Sequence, residues 1–173
     1  MPRKNRRLVF VILWCVITVG CRSASPVKDA RASLKGLRGL SVVIENLQPA
    51  AERGGLSREQ LQTDVELWLR QAGIPVVSQD ESLKAPGSPY LYVNINTAKT
   101  ETLGLFATLV YAIQVAVRQD VDLRRDPALM VTATTWSTGM VGALGADNLQ
   151  SVRGALNDLL KTFINDYLAE NPK

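Results

Sequence analysis

Histidine is absent from all 173 residues, cysteine occurs only twice, and aromatic residues make up just 6% of the chain. The missing imidazole excludes Ser-His-Asp and Cys-His catalysis and removes the commonest nitrogen ligand of zinc. Two cysteines cannot form the framework of a disulfide-stapled secreted domain. An excess of one charge sign is also lacking over most of the sequence. Of 20 Lys and Arg residues, Arg3, Lys4, Arg6 and Arg7 lie in the first seven positions, and the other 16 match the 16 Asp and Glu. The pI near 9.3 is therefore no nucleic-acid footprint, which needs basic residues clustered on a folded surface. A mean hydropathy of +0.03 excludes a polytopic membrane protein and a wholly disordered chain. What is present is enough chain for one domain of ordinary size with a real core.

The basic start leads into an apolar run, Leu8–Gly20, of 13 residues. As a helix it would reach roughly 20 Å, short of the ~30 Å hydrocarbon core of a bilayer. A basic n-region followed by such an h-region reads as an export signal. The run ends at Thr18, Val19, Gly20 and Cys21, followed by Arg22, Ser23, Ala24, Ser25 and Pro26. These residues resemble a bacterial lipoprotein signal, whose lipobox places a small residue before an invariant cysteine. Gly20 fits that pattern, while Thr18 and Val19 depart from the usual Leu and Ala/Ser. The resemblance implies that residues 1–20 are removed and that Cys21 becomes the lipidated first residue. An uncleaved anchor, or cleavage near Ala24, are the alternatives. Cys15 would leave with the signal, so Cys21 would have no disulfide partner. Lipoproteins of this kind carry two or three acyl chains, which suffices for a stable membrane anchor. Arg22 and Ser23 do not resemble the Asp-type retention signal of enteric bacteria, which favours the outer membrane, facing the periplasm. Residues 21–38 then read as the lipidated cysteine and a flexible tether with Arg22, Lys28, Arg31, Lys35 and Arg38 against Asp29 alone. That tether either rests on anionic headgroups or is a solvated linker.

From residue 39 to 173 the pattern is that of a single globular domain. Leu40–Leu47 is short and β-branched, a strand, and residues 48–56 are a loop containing Pro49, Gly54 and Gly55. Ser57 and Gln60 form a capping-box pattern before Leu61, Val65, Trp68, Leu69 and Ala72, apolar at helical spacing, and Gly73 ends the helix. Ile74–Val77 is a short strand with a proline, and residues 79–88 a polar loop. Three longer strands follow over 90–98, 109–123 and 129–138, the last two joined by a turn at Arg124–Pro127. Gly139, Gly142 and Gly145 read as a flexible connector to a final helix, capped by Asp147 with Gln150 and ended by Pro172. The expected fold is α+β: a two-layer βαβββα sandwich, mainly antiparallel, with two helices on one face of the sheet. A lipidated cysteine, a short tether and a βαβββα domain resemble small envelope lipoproteins such as LptE and the transport-auxiliary or LpoB-like lipoproteins. That resemblance lies in element order alone. It implies a partner of larger assemblies rather than a catalyst.

No catalytic constellation emerges. Asp120 and Asp122 share a strand face, but Arg118 and Arg124 flank them there and make charge-paired strand residues the better account. The glycines at 139, 142 and 145 lack the Lys-Ser/Thr ending of a phosphate-binding loop. The hydroxyls of Thr132–Thr138 have no base to activate them. No cofactor and no metal are expected, and no enzyme activity. If Leu91, Val93, Ile95, Tyr111, Ile113, Val115, Val117, Leu129, Val131 and Ala133 meet the helices, period two commits Tyr90, Tyr92, Asn94, Ala112, Gln114, Ala116, Thr132, Thr134 and Trp136 to the opposite face. Tyr90, Tyr92, Asn94, Gln114, Thr134 and Trp136 are then candidates for docking a protein partner, with aromatic anchors among amides, the alternative being an ordinary half-wet sheet face. Leu105 and Phe106, in an apolar connection over 103–109, are candidates for a second contact with partner or membrane, the alternative being that this segment only extends the long hairpin. The expected function is a membrane-anchored adaptor or accessory subunit of an envelope assembly. The alternative is a binding module for a small apolar or lipid ligand, which an enclosed apolar pocket would favour and a filled core would disfavour.

Overall fold

The computed structural model describes residues 30–102, 106–145 and 150–172. Cys21, Leu105 and the expected cap Asp147 lie outside the described residues. Among the described residues, four strands and the four helices named here make a mixed α+β fold, with residues 30–32 also helical. β1 (Ser41–Ile44) is followed by helices α1 (Pro49–Arg53), α2 (Arg58–Gln71) and α3 (Gln79–Lys84), then by β2 (Tyr90–Thr102), β3 (Phe106–Leu123), β4 (Asp126–Gly145) and α4 (Gln150–Glu170). The sheet order is β1-β2-β3-β4. β1 runs parallel to β2, and the two remaining pairings are antiparallel.

Local sequence explains most boundaries. In α2 the Ser57 hydroxyl accepts from the Gln60 backbone N–H at 3.3 Å, and Leu61, Val65 and Leu69 are buried one turn apart. Ser57 donates its own proton to Glu59 at 2.9 Å, which takes the place of the expected return bond from Gln60. Gly73 adopts φ +77°, and Ile74 N–H reaches back to the Leu69 carbonyl at 3.0 Å, closing the C-terminus. The complete capping box lies elsewhere, where the sequence suggests a loop. Ser78 accepts from Glu81 N–H, and Glu81 accepts from Ser78 N–H at 2.9 Å, starting α3. α1 is likewise a helix inside an expected loop. With five and six residues, neither shows an apolar period long enough to read.

Two further expectations are corrected. Ile74–Val77 is not a strand, because only Val76 makes a bridge, to Leu40. β4 does not stop at Thr138 but continues through all three glycines to Gly145. Gly139 passes so close to β3 that a Cβ there would lie 2.8 Å from the Ile113 carbonyl oxygen, and a Cβ on Gly142 would collide with the Tyr111 ring. Gly139 and Gly142 thus serve close approach within a strand, not flexibility.

Val42, Ile44, Leu91, Val93, Ile95, Tyr111, Ile113, Val115 and Val117 of the sheet form one buried cluster with Leu61, Val65 and Leu69 of α2 and Val152, Leu156, Leu160, Phe163 and Tyr167 of α4. Leu129, expected in that core, lies further along the hairpin and is 45% exposed. The packed chain begins before residue 39. Leu34 is fully buried, Ser33 donates to the Thr135 carbonyl, and Asn171 at the end of α4 bonds Leu34 and Gly36. Tyr167 closes the same contact, its hydroxyl donating to the Leu37 carbonyl at 2.5 Å. Residues 30–38, read as the end of a tether, are thus seated on the domain.

Candidate functional site

The face of the sheet turned away from this cluster follows from register. Tyr92 pairs with Ala116 and Asn94 with Gln114, while across β3 Ala116 pairs with Ser137, Gln114 with Gly139 and Ala112 with Val141. Paired residues share a face. Toward one end this face carries Asn94, Asn96, Gln114, Gly139 and Val141, the last 75% exposed. The same residues, with Ala112 and Ser137, line a shallow depression of about 630 Å³.

Trp136 is not on this face. Val117 pairs with Trp136 but Arg118 with Thr134, so Thr135 is an extra residue and β4 bulges there. Each inserted residue inverts the alternation of side chains. Thr132 and Thr134 keep the open face, whereas Trp136 turns into the core and is 3% exposed. Its ring meets Phe163 edge-on with centroids 5.2 Å apart, and its Nε1–H donates to Asp166 at 3.0 Å. Asp166 also lies 3.1 Å from Arg31 Nε. The expected docking anchor is a core residue.

Tyr92 does lie on the open face but is only 8% exposed, because its surroundings enclose it. Its hydroxyl donates to Glu45 at 2.5 Å and accepts from Asn94 at 3.3 Å, and Asn96 extends the chain to Asn94 at 2.8 Å. The Arg118 guanidinium lies over the Tyr92 ring, 3.7 Å from its centroid. The hydrogen bond from Tyr92 holds the Glu45 carboxyl below its ordinary value, helped by the Asn46 N–H. The same bond, with burial, pushes the Tyr92 phenol up. Glu45 was not legible as a site residue, since only the β1–β2 register brings it beside Tyr92.

Asp120 and Asp122 are not charge-paired as expected. Among the described residues neither joins an ion pair, and Asp120 instead accepts from Thr132 at 2.7 Å. Tyr90 borders a groove of about 360 Å³ between α3 and this end of the open face, together with Tyr92, Arg118, Asp120 and Thr132. Phe106 opens β3, so at this position the segment extends the hairpin, and its side chain lies outside the described residues. Among the described residues no three carboxylates or thiols converge on a metal position, and no helix is long and apolar enough to cross a membrane.

No protein family and no curated protein matches this chain. Among solved structures the chain is similar to a minor lipoprotein from Acinetobacter baumannii, at 12% identity and a TM-score of 0.40, over 78% of this chain and 94% of that one. No residue or role is carried over from it.

Proposed function

We propose that this chain is a lipid-anchored protein of the bacterial envelope, held by Cys21 at the outer membrane and facing the periplasm, whose domain is a non-enzymatic adaptor for a larger assembly. The observation that carries the adaptor reading is the end of the sheet left uncovered by the described residues, where the amides of Asn94, Asn96 and Gln114 surround small residues and an exposed Val141. Amides spaced among small residues offer directional hydrogen bonds on a surface that a partner can approach closely. The lipobox-like end of the apolar run supports the anchor. The reading as a module for an apolar or lipid ligand has less support. The space between sheet and helices is filled by fully buried side chains, Phe163, Leu91, Leu69 and Leu156 among them, and the grooves described above open on the opposite face.

Palmitate labelling tests the anchor: it should vanish in Cys21→Ala and persist in Cys15→Ala. Labelling that survives Cys21→Ala would refute the anchor. In-cell photocrosslinking from Gln114 and Val141 tests the adaptor, and one dominant partner band is expected. No crosslinked partner from either position, with Asn96→Ala/Gln114→Ala cells behaving as wild type, would refute docking through this face.

A further inference from the structure

The groove between α3 and the sheet has the features of a small-ligand site. It is lined by Arg118, whose guanidinium carbon lies over the Tyr92 ring, 3.7 Å from its centroid, and Tyr92 is itself fixed by the bond to Glu45. Among the described residues Arg118 forms no ion pair and donates no side-chain hydrogen bond. A guanidinium seated over a ring, with the Glu45 carboxylate in its field but no hydrogen-bond acceptor on its fork among the described residues, is positioned to receive a carboxylate at little further cost in freedom. Two residues along the same strand face, about 7 Å away at strand rise, stands Asp120. Its Oδ1 takes the Thr132 proton, and its Oδ2 has no partner among the described residues. Both residues line the groove without forming an ion pair, so the groove offers one cation to a carboxylate and one anion to an ammonium.

Backbone geometry converges on the same place. The β4 bulge lies opposite the Val117–Arg118 step, and bulges commonly re-aim side chains at binding sites. Ser88, on the groove wall, is the one described non-glycine residue with positive φ, at +42°. Its loop is pinned to β3 by the Asp120 N–H, which donates to the Gly87 carbonyl at 2.8 Å. Such strain persists where the surroundings fix it, and ligand clamps are a common setting. Val43 and Leu83 add an apolar wall, enough for a short aliphatic side chain. About 360 Å³ is at the small end of ligand pockets, too little for a lipid tail.

We propose that this groove binds a small zwitterion, an α-amino acid or a dipeptide, with its carboxylate on Arg118 and its ammonium on Asp120. The site needs neither the lipid anchor nor a docking partner, so it stands or falls apart from the adaptor reading. Isothermal titration and ligand-observed NMR on the full chain in detergent micelles test it, with L-alanyl-L-alanine as the probe. Saturable binding is expected, about tenfold weaker for N-acetyl-L-alanine, which lacks the ammonium, and none for N-acetyl-L-alaninamide. Arg118→Lys should weaken the dipeptide about tenfold by losing the fork. Asp120→Asn, which keeps an acceptor for Thr132, should weaken the dipeptide similarly and leave N-acetyl-L-alanine unchanged. No saturable binding of the dipeptide to the wild type at millimolar concentration would overturn the proposal. Equal binding of all three probes, or wild-type affinity in both variants, would overturn it as well.

Discussion

Replacing Trp136 by alanine separates a docking anchor from a core residue. The indole is 3% exposed and its ring edge packs on Phe163, with centroids 5.2 Å apart. Truncating a buried aromatic to alanine costs about 3–5 kcal/mol, which here includes an aromatic pair contributing about 0.5–1.5 kcal/mol. The lost bond from Nε1 to Asp166 adds little, because that carboxylate is part-exposed and keeps Arg31 at 3.1 Å. A total near 4 kcal/mol is a large share of the ~5–15 kcal/mol that holds a domain together. At roughly 3–5 °C per kcal/mol for a domain of this size, Tm should fall by about 12–20 °C. Trp136→Phe keeps the contact to Phe163 and should lose about 1–2 kcal/mol. Thermal melts and urea titrations followed by far-UV circular dichroism measure both, with the urea midpoint dropping at unchanged slope. A wet-face tryptophan would behave as other surface sites do, within about 0.5 kcal/mol. A Tm for Trp136→Ala within about 3 °C of wild type would therefore refute the bulge at Thr135 and the inward turn of this side chain.

Gly142→Ala should destabilise by about 1–3 kcal/mol, since the added methyl must displace the Tyr111 ring, while Gly142→Ala/Tyr111→Ala should show the methyl itself as nearly neutral; equal costs of the methyl in both backgrounds, from urea midpoints, would contradict the close approach. Tyr92→Phe should lower stability near neutral pH by removing the bond to Glu45. Glu45 has its carboxyl lowered from 4.5 and Tyr92 its phenol raised from 10.0, so this stabilisation is full between those values, fades as acid protonates Glu45, and fades again as base ionises Tyr92. Stability of wild type and Tyr92→Phe measured against pH should converge at both ends, and a constant difference from acid to alkali would contradict the assignment.

How much of the molecule can be read from its residues depends on the range of the interaction. α2 and α4 are legible because Leu61, Val65 and Leu69, or Leu156, Leu160 and Phe163, repeat over several turns and Ser57 and Gly73 mark the ends of α2. α3 is hidden because a capping box over six residues leaves no period to see. Gly139 and Gly142 of β4 mislead because their use is the proximity of Ile113 and Tyr111, which lie 26 and 31 positions away in the chain. The candidate site fails to read for a sharper reason. Thr134, Thr135 and Trp136 are all good strand formers, so nothing local shows which of them is the inserted residue. The answer comes from what each faces: Phe163 takes the indole, and Ser33 and Gln119 take the Thr135 carbonyl and hydroxyl. The same insertion sets the other face. With an unbroken register continuing from the Val117–Trp136 pair, Asp120 would oppose Ala133 and find no hydroxyl. With the bulge it opposes Thr132 and binds it at 2.7 Å, while Arg118 opposes Thr134. No unbroken register places Trp136 on a different face from Thr132 and Thr134. The added residue lets the tryptophan enter the core while Thr132 and Thr134 stay on the open face beside Asp120 and Arg118, so the buried indole and the polar edge of the groove coexist only because of the bulge.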